Sequence, residues 1–156
     1  MSDQDFMREA IRLSFEGMRR DAGGPFGAVV VKQEEIIGRG FNRVLELNDP
    51  TAHAEVLAIR EACRRLGSFQ LSDCTLYSSC EPCPMCLGAI YWARPERIFY
   101  ACRRDDAWLI EFDDAHIYQE LNLKPDRRQI PAQEILRLEA LPAFEEWRNK
   151  KDKVNY

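Results

Sequence analysis

Long apolar runs are missing from this chain. No stretch approaches the ~20 residues that a membrane-crossing helix needs, so no membrane partner is expected. A basic excess is missing too. The formal net charge is −4 and the sequence pI about 5.3, whereas a nucleic-acid-binding domain usually leaves a basic footprint. The arginine pairs at 19–20, 64–65, 103–104 and 127–128 read as solvated helix ends. The opening Met1-Ser2-Asp3-Gln4-Asp5 is polar and acidic, unlike the charged-then-apolar pattern of an export signal. Internal repeats and low-complexity segments are absent. Histidine is scarce, with two copies, His53 and His116, so imidazole chemistry must fall on one of them.

What is present fits one ordinary domain. The 156 residues are 46% hydrophobic and 31% charged, enough to bury a core without staples. The six cysteines come with no export signal, so a reducing cytoplasm is the expected setting. There a C-x-x-C pair reads as metal-binding or redox-active and not as a staple. Cys63, Cys74 and Cys102 have no motif around them and read as small buried apolar residues.

Apolar periodicity sets out the elements. Phe6, Ala10 and Leu13, with Met7, Ile11, Phe15 and Met18, recur at helical spacing until Gly23-Gly24-Pro25 breaks the pattern. Ala28–Val31 reads as a strand buried on both faces, and Ile36–Phe41 as a second strand antiparallel to it. Asn48-Asp49-Pro50-Thr51 signals a loop and a helix start. The helix that follows carries Ala52, Val56, Ile59, Cys63 and Leu66 on one stripe and ends at Gly67. A strand over 74–79, a helix from Pro84 and a strand over 97–101 come next. Further on, a short helix near 115–121, a strand around 134–139 and a final helix from about Ala143 are expected. This alternation predicts an α/β layered fold with a mixed sheet.

Two segments carry the chemistry: His53-Ala54-Glu55 and Pro82-Cys83-Pro84-Met85-Cys86. His53, Cys83 and Cys86 can hold one Zn²⁺ with three protein ligands, which leaves the fourth position for water. His53 and Glu55 both fall in a predicted first turn, and Cys83 and Cys86 are neighbours at the start of the next helix. Two helix N-termini therefore meet at one metal, where backbone N–H groups and the helix dipole favour thiolates. Two thiolates, a neutral imidazole and Zn²⁺ sum to a formally neutral site. Such a metal acidifies its water less than one held by three histidines, and Glu55 is the candidate base. Two alternatives remain open: a closed structural zinc with Cys80, Cys102 or His116 as fourth ligand, and a redox C-x-x-C pair. A non-catalytic zinc-stabilised binding module is the reading from a different functional class.

An H-x-E followed by P-C-x-x-C resembles the cytidine deaminase superfamily, and within it the bacterial guanine deaminases. Gly24-Pro25-Phe26-Gly27-Ala28-Val29, Asn48 through Glu55, and Ser79 through Cys86 carry the resemblance, which continues over Leu87-Gly88-Ala89-Ile90-Tyr91-Trp92-Ala93. Phe112-Asp113-Asp114 and the tail from Trp147 to Tyr156 tilt it toward guanine. The resemblance implies a single domain over 1–156 with a three-layer α/β/α fold around a central mixed five-stranded sheet. It also implies a homodimer that exchanges the segment from about 140 to 156, so that a partner's tail closes the site. That tail, with Trp147, Lys150, Lys151, Lys153 and Tyr156, is too polar to form core. By resemblance, His53, Cys83 and Cys86 match the zinc ligands and Glu55 the proton shuttle. Asn42, Ala54, Phe26 and Trp92 match substrate contacts, Asp114 a carboxylate that reads an N–H edge or assists proton transfer, and Tyr156 the partner-tail residue. Plain structural roles stand beside these: a turn for Asn42, core for Phe26 and Trp92, a helix N-cap for Asp114. The implied reaction is zinc-dependent hydrolysis of guanine to xanthine and ammonia, with zinc-bound water attacking C2. A tRNA adenosine deaminase or a cytosine or nucleoside deaminase is the alternative.

Overall fold

The computed structural model describes residues 1–112 and 114–156, which form two compact units, Met1–Asp114 and Ala115–Tyr156. In the first unit, helix α1 spans Asp3–Arg19. Its start is set by a reciprocal cap: the Ser2 hydroxyl accepts the Asp5 N–H at 3.3 Å, and the Asp5 carboxylate accepts the Ser2 N–H at 3.0 Å. Strands β1 (Gly27–Lys32) and β2 (Glu35–Phe41) follow as a hairpin, then a single turn of helix, α2 (Val44–Leu47). Helix α3 covers Ala54–Leu66, β3 Cys74–Cys80, α4 Pro84–Ala93, β4 Arg97–Cys102 and α5 Arg104–Leu109.

The strands lie in the order β2-β1-β3-β4. β1 is antiparallel to both neighbours, and β3 and β4 run parallel, so the sheet is mixed. Its two faces carry separate cores. Val29, Val31, Ile36 and Tyr77 meet Phe6, Ala10 and Leu13 of α1 on one side. Ala28, Val30, Ile37 and Leu76 meet Ala54, Ala58 and Ala62 of α3 and Ile90 of α4 on the other. This gives three α/β/α layers, and the fully buried Val29–Val30 pair shows why β1 is an unbroken apolar run.

The packing of α3 on β2 is unusually close. A Cβ on Gly40 would stand 2.2 Å from the Ala54 carbonyl oxygen, and one on Gly38 would stand 2.3 Å from that of Ala58. Helix backbone thus rests directly on strand backbone, and glycine is the residue that admits the approach. The outer edge of β2 is also covered. Glu61 of α3 accepts the Arg39 N–H at 2.8 Å, and Arg65 donates to the Ile36 carbonyl at 3.1 Å, so two edge groups are withheld from strand pairing.

The second unit contains α6 (Ala115–Leu121), a 3₁₀ turn (Pro125–Arg127) and α7 (Arg137–Asn149). The Glu120 carboxylate accepts the Gln129 N–H at 2.7 Å, which ties the turn to α6. None of its described residues is buried.

Several expectations change. Among the described residues the sheet has four strands, not five. The strand expected around 134–139 gives way to α7, which starts at Arg137 instead of near Ala143. Leu138, Leu141 and Phe144 recur at helical spacing, and apart from Pro142 the residues between them are good helix formers; that period wins over the local alternation of Leu136 and Leu138. The α3 helix begins later than its apolar stripe suggests. His53 is its extended N-cap and not a first-turn residue. No helix among the described residues is long and apolar enough to cross a membrane.

Candidate active site

The starts of α3 and α4 meet on one face of the sheet, the face that holds Ala28, Val30 and Leu76. Cys83 is the N-cap of α4, with Pro84 at its first helical position, and the Cys83 Sγ accepts the Cys86 N–H at 3.5 Å. His53 caps α3 from the loop before it. There Asp49 accepts both the N–H and the hydroxyl of Thr51, at 2.8 and 2.7 Å, and so sets the turn into the helix. Because His53 has extended backbone geometry (φ −76°, ψ 154°), its ring leaves the helix axis and reaches the cysteines. His53 Nδ1 lies 3.6 Å from Cys83 Sγ and 3.4 Å from Cys86 Sγ.

These spacings fit zinc. Zn–S bonds of about 2.3 Å and Zn–N bonds of about 2.0 Å at a tetrahedral angle give S···N edges of roughly 3.5 Å. The three donor atoms lie within 4.8 Å of one another and form the one cluster of this kind among the described residues. Cys80, Cys102 and His116 are not in it. Cys80 Sγ instead lies 3.6 Å from the Arg103 carbonyl oxygen, and burial pushes its thiol up to about 12. Among the described residues, the closed four-ligand alternative therefore finds no fourth ligand in this cluster.

Charge is arranged for a cation. Hydrogen bonds with Cys86 and His53 hold the Cys83 thiol down at about 4, well below an ordinary cysteine. The His53 imidazole is raised, chiefly by its hydrogen bond to Cys83. Cys86 is pushed up, first by Cys83 and then by burial and by Glu55. Without a divalent ion these groups compete for protons, and a divalent ion removes the conflict by taking both thiolates. Glu55 sits beside them at 6% exposure. Its Oε2 is 3.3 Å from Cys86 Sγ, and its Oε1 accepts the Ser78 hydroxyl at 3.0 Å. Burial raises its pKa above that of an ordinary carboxylate, the direction that a proton-carrying group requires.

The other expected site residues are placed as follows. Asn42 is buried at the end of β2. Its Oδ1 accepts the Val44 N–H at 3.1 Å, so it does make a turn, and its own N–H donates to the Phe26 carbonyl at 2.9 Å. Ala54 is fully buried at the first position of α3. Phe26 is half-buried and meets Phe112 edge-to-face, centroids 4.9 Å apart at 88°. Asp114 is half-buried and accepts the Trp108 indole N–H at 2.9 Å. Its neighbour Asp113, which shares the guanine-like segment, lies outside the described residues. Trp92 is exposed on α4. Tyr156 is exposed at the end of the second unit.

Sequence reasoning missed Ser78 and Trp108. A signal for Ser78 did exist. Cys74, Leu76, Ser78 and Cys80 form the inward row of β3, and a hydroxyl in an apolar row needs a buried partner. Elsewhere, a groove of about 710 Å³ runs between α1 and the first part of β2. Asp5, Arg8, Glu9, Arg12, Arg39 and Arg65 are among its lining, but Arg8 pairs with Asp5, Arg12 and Arg39 with Glu9, and Arg65 with Glu35, and none belongs to the metal cluster.

The model of the cytidine and deoxycytidylate deaminase zinc-binding region matches residues 1–102. The chain belongs to this deaminase family. Over all 156 residues, and over the full length of the relative, the deaminase is 52% identical to guanine deaminase from Bacillus subtilis. The X-ray structure of a Bacillus subtilis guanine deaminase superposes with a TM-score of 0.97, covering 100% of this chain and 99% of that one. A tRNA-specific adenosine deaminase from Aquifex aeolicus is 46% identical over 65% of this chain and 66% of its own. The zinc-binding region of the family thus coincides with the His53, Cys83 and Cys86 cluster.

Proposed function

We propose that this deaminase hydrolyses guanine to xanthine and ammonia. The observation that carries the reading is the buried Glu55 carboxylate set against a three-ligand zinc cluster, in a chain similar to a guanine deaminase over its whole length. His53, Cys83 and Cys86 would hold zinc, which supplies a Lewis acid and lowers the pKa of water.

The protein groups supply proton transfer and orientation. Glu55 takes one proton from the attacking water and passes it to the ring nitrogen next to C2. It then delivers the second water proton to the departing amine, so that water and guanine leave as xanthine and ammonia. Ser78 keeps Oε1 of Glu55 in place throughout. With Oδ1 of Asn42 committed to Val44, its Nδ2 is the end offered to an acceptor on the base. Phe26 and Trp92 serve as pocket walls and Ala54 as a contact at the start of α3. Asp114 accepts an N–H of the ring.

The same reading includes a homodimer in which a partner's 140–156 segment brings Tyr156 to the site. Exposed aromatics on α4 and β4 (Tyr91, Trp92, Phe99 and Tyr100) support a covered face. A second unit with no buried residue supports an element built to pack elsewhere. Light scattering that returned a monomer with full activity would remove this part. Six free thiols fit a cytoplasmic location.

The test is ammonia release by the zinc-loaded protein from guanine, adenine, cytosine, guanosine and an adenosine-containing tRNA hairpin. Release from guanine with xanthine as product supports the reading. Release from the hairpin instead keeps the zinc chemistry and overturns the substrate. Silence across the panel with zinc present would favour a binding module.

A further inference from the structure

We infer that Trp108 is a positioning residue that holds the Asp114 carboxylate for substrate choice; the inference rests on the guanine reading above. The indole Nε1–H donates to Asp114 Oδ1 at 2.9 Å. An indole N–H only donates, so this oxygen is fixed as an acceptor and Oδ2 is the oxygen left for a ligand. A carboxylate oxygen accepts from a ring N–H, as guanine carries at N1. Adenine, turned so that its amino-bearing C6 takes the place of guanine C2, has N1 and C5 beside the reacting carbon, and neither carries an N–H. Orienting Asp114 therefore favours guanine over adenine, and leaving a polar group of the site unmatched is an effective way to reject an analogue.

The segment around the pair is braced on both sides. The Arg104 N–H donates to Glu81 Oε2 at 3.2 Å, which ties the start of α5 to the residue before Pro82-Cys83. The Arg104 guanidinium lies 5.6 Å from the centroid of the Trp108 ring. After α5, the Phe112 N–H returns to the Ala107 carbonyl at 3.0 Å. The Phe112 ring then closes on Phe26 and on Gly24, where a Cβ would stand 2.7 Å from Phe112 Cζ. Trp108 thus reaches Asp114 from a short helix anchored beside one zinc ligand, while Phe112 anchors the same segment to the loop before β1. Both Trp108 and Asp114 lie beyond residue 102, where the family-wide zinc-binding region ends. That is where a substrate-specific device belongs if the shared region supplies the common chemistry.

The experiment compares Trp108→Phe, Asp114→Ala and the double variant, with zinc content and Tm measured on each. Trp108→Phe keeps an aromatic ring and removes the N–H. Its kcat/KM for guanine is expected to fall about tenfold or more with one zinc per chain retained, and the guanine-over-adenine ratio to narrow. In the Asp114→Ala background the same change is expected to alter kcat/KM by less than about twofold, because Trp108 acts through Asp114. A merely structural role would multiply the two losses. On ¹⁵N-labelled protein, Asp114→Ala should move the Trp108 indole resonance, a readout that needs no turnover and leaves Trp108 in place. An active wild type with a fully active Trp108→Phe, a multiplied loss in the double variant or an unmoved indole resonance would overturn this inference alone. A wild type inactive on guanine would overturn the function beneath it, and this inference with it.

Discussion

Replacing Gly40 by alanine should loosen the metal site from the far side of α3. The added Cβ would stand 2.2 Å from the Ala54 carbonyl oxygen and 2.8 Å from the Ala58 N. Both are helix backbone atoms, so no flexible side chain can swing aside. The first gap must open to at least the 3.4 Å of a tight ordinary contact, and α3 has to move to open it. Overpacking of this kind costs about 1–3 kcal/mol, or roughly 3–10 °C in Tm for a chain of this length. The displaced end of α3 carries His53, whose Nδ1 lies 3.4 Å and 3.6 Å from the two sulfurs. Zinc bonds tolerate only about 0.2 Å of error, so zinc affinity should fall about tenfold or more. The assay is thermal unfolding with and without zinc, together with competition against a chromophoric chelator. Gly88→Ala provides the control. Gly88 is exposed on α4 with nothing within 4 Å of the new Cβ, and there alanine should stabilise the helix by about 0.5–1 kcal/mol. A Gly40→Ala protein with unchanged Tm and zinc affinity would refute the close packing of α3 on β2 as the support of the site.

Glu55→Gln should retain one zinc per chain and lose at least about a hundredfold in guanine turnover; near-normal activity would end the proton-shuttle assignment. Ser78→Ala removes the buried donor to Glu55 and should lower kcat about tenfold with zinc content unchanged, whereas an unaltered kcat would show that Glu55 holds its position without it. In metal-stripped protein, Cys83, held at about 4, is mostly thiolate at pH 6, while Cys80, pushed up to about 12, is a neutral thiol there. Iodoacetamide at pH 6 should therefore label Cys83 well ahead of Cys80 by mass spectrometry, and equal labelling would count against this electrostatic picture. Glu61→Ala uncovers the Arg39 N–H on the edge of β2 and should raise aggregation on heating, read by light scattering; a variant as free of aggregates as the parent would mean the edge needs no cover.

Sequence reasoning reached the parts of this protein whose physics is local. Short-range periodicity marks α1 and α3, and an unbroken apolar run marks β1. The turn at Asp49 and the proline at the start of α4 act within a few residues of themselves. The metal ligands were legible for a related reason: a C-x-x-C pair and an H-x-E triplet limit which donors can converge, whatever the rest of the chain does. What the sequence left undecided depends on partners far apart along it. Ser78 and Glu55 are 23 residues apart. Gly40 matters because Ala54 lies against it, and nothing in Arg39-Gly40-Phe41 announces that. The helix at Arg137–Asn149 was misread because its run opens on a strand-like alternation of Leu136 and Leu138, while the helical spacing shows only over the longer span. By itself, then, the sequence determined which donors could gather at one metal, His53, Cys83 and Cys86, since donor type and local spacing restrict them. Only the tertiary structure decided how those groups are held, because close packing, buried hydrogen bonds and the direction of a carboxylate arise where distant segments meet.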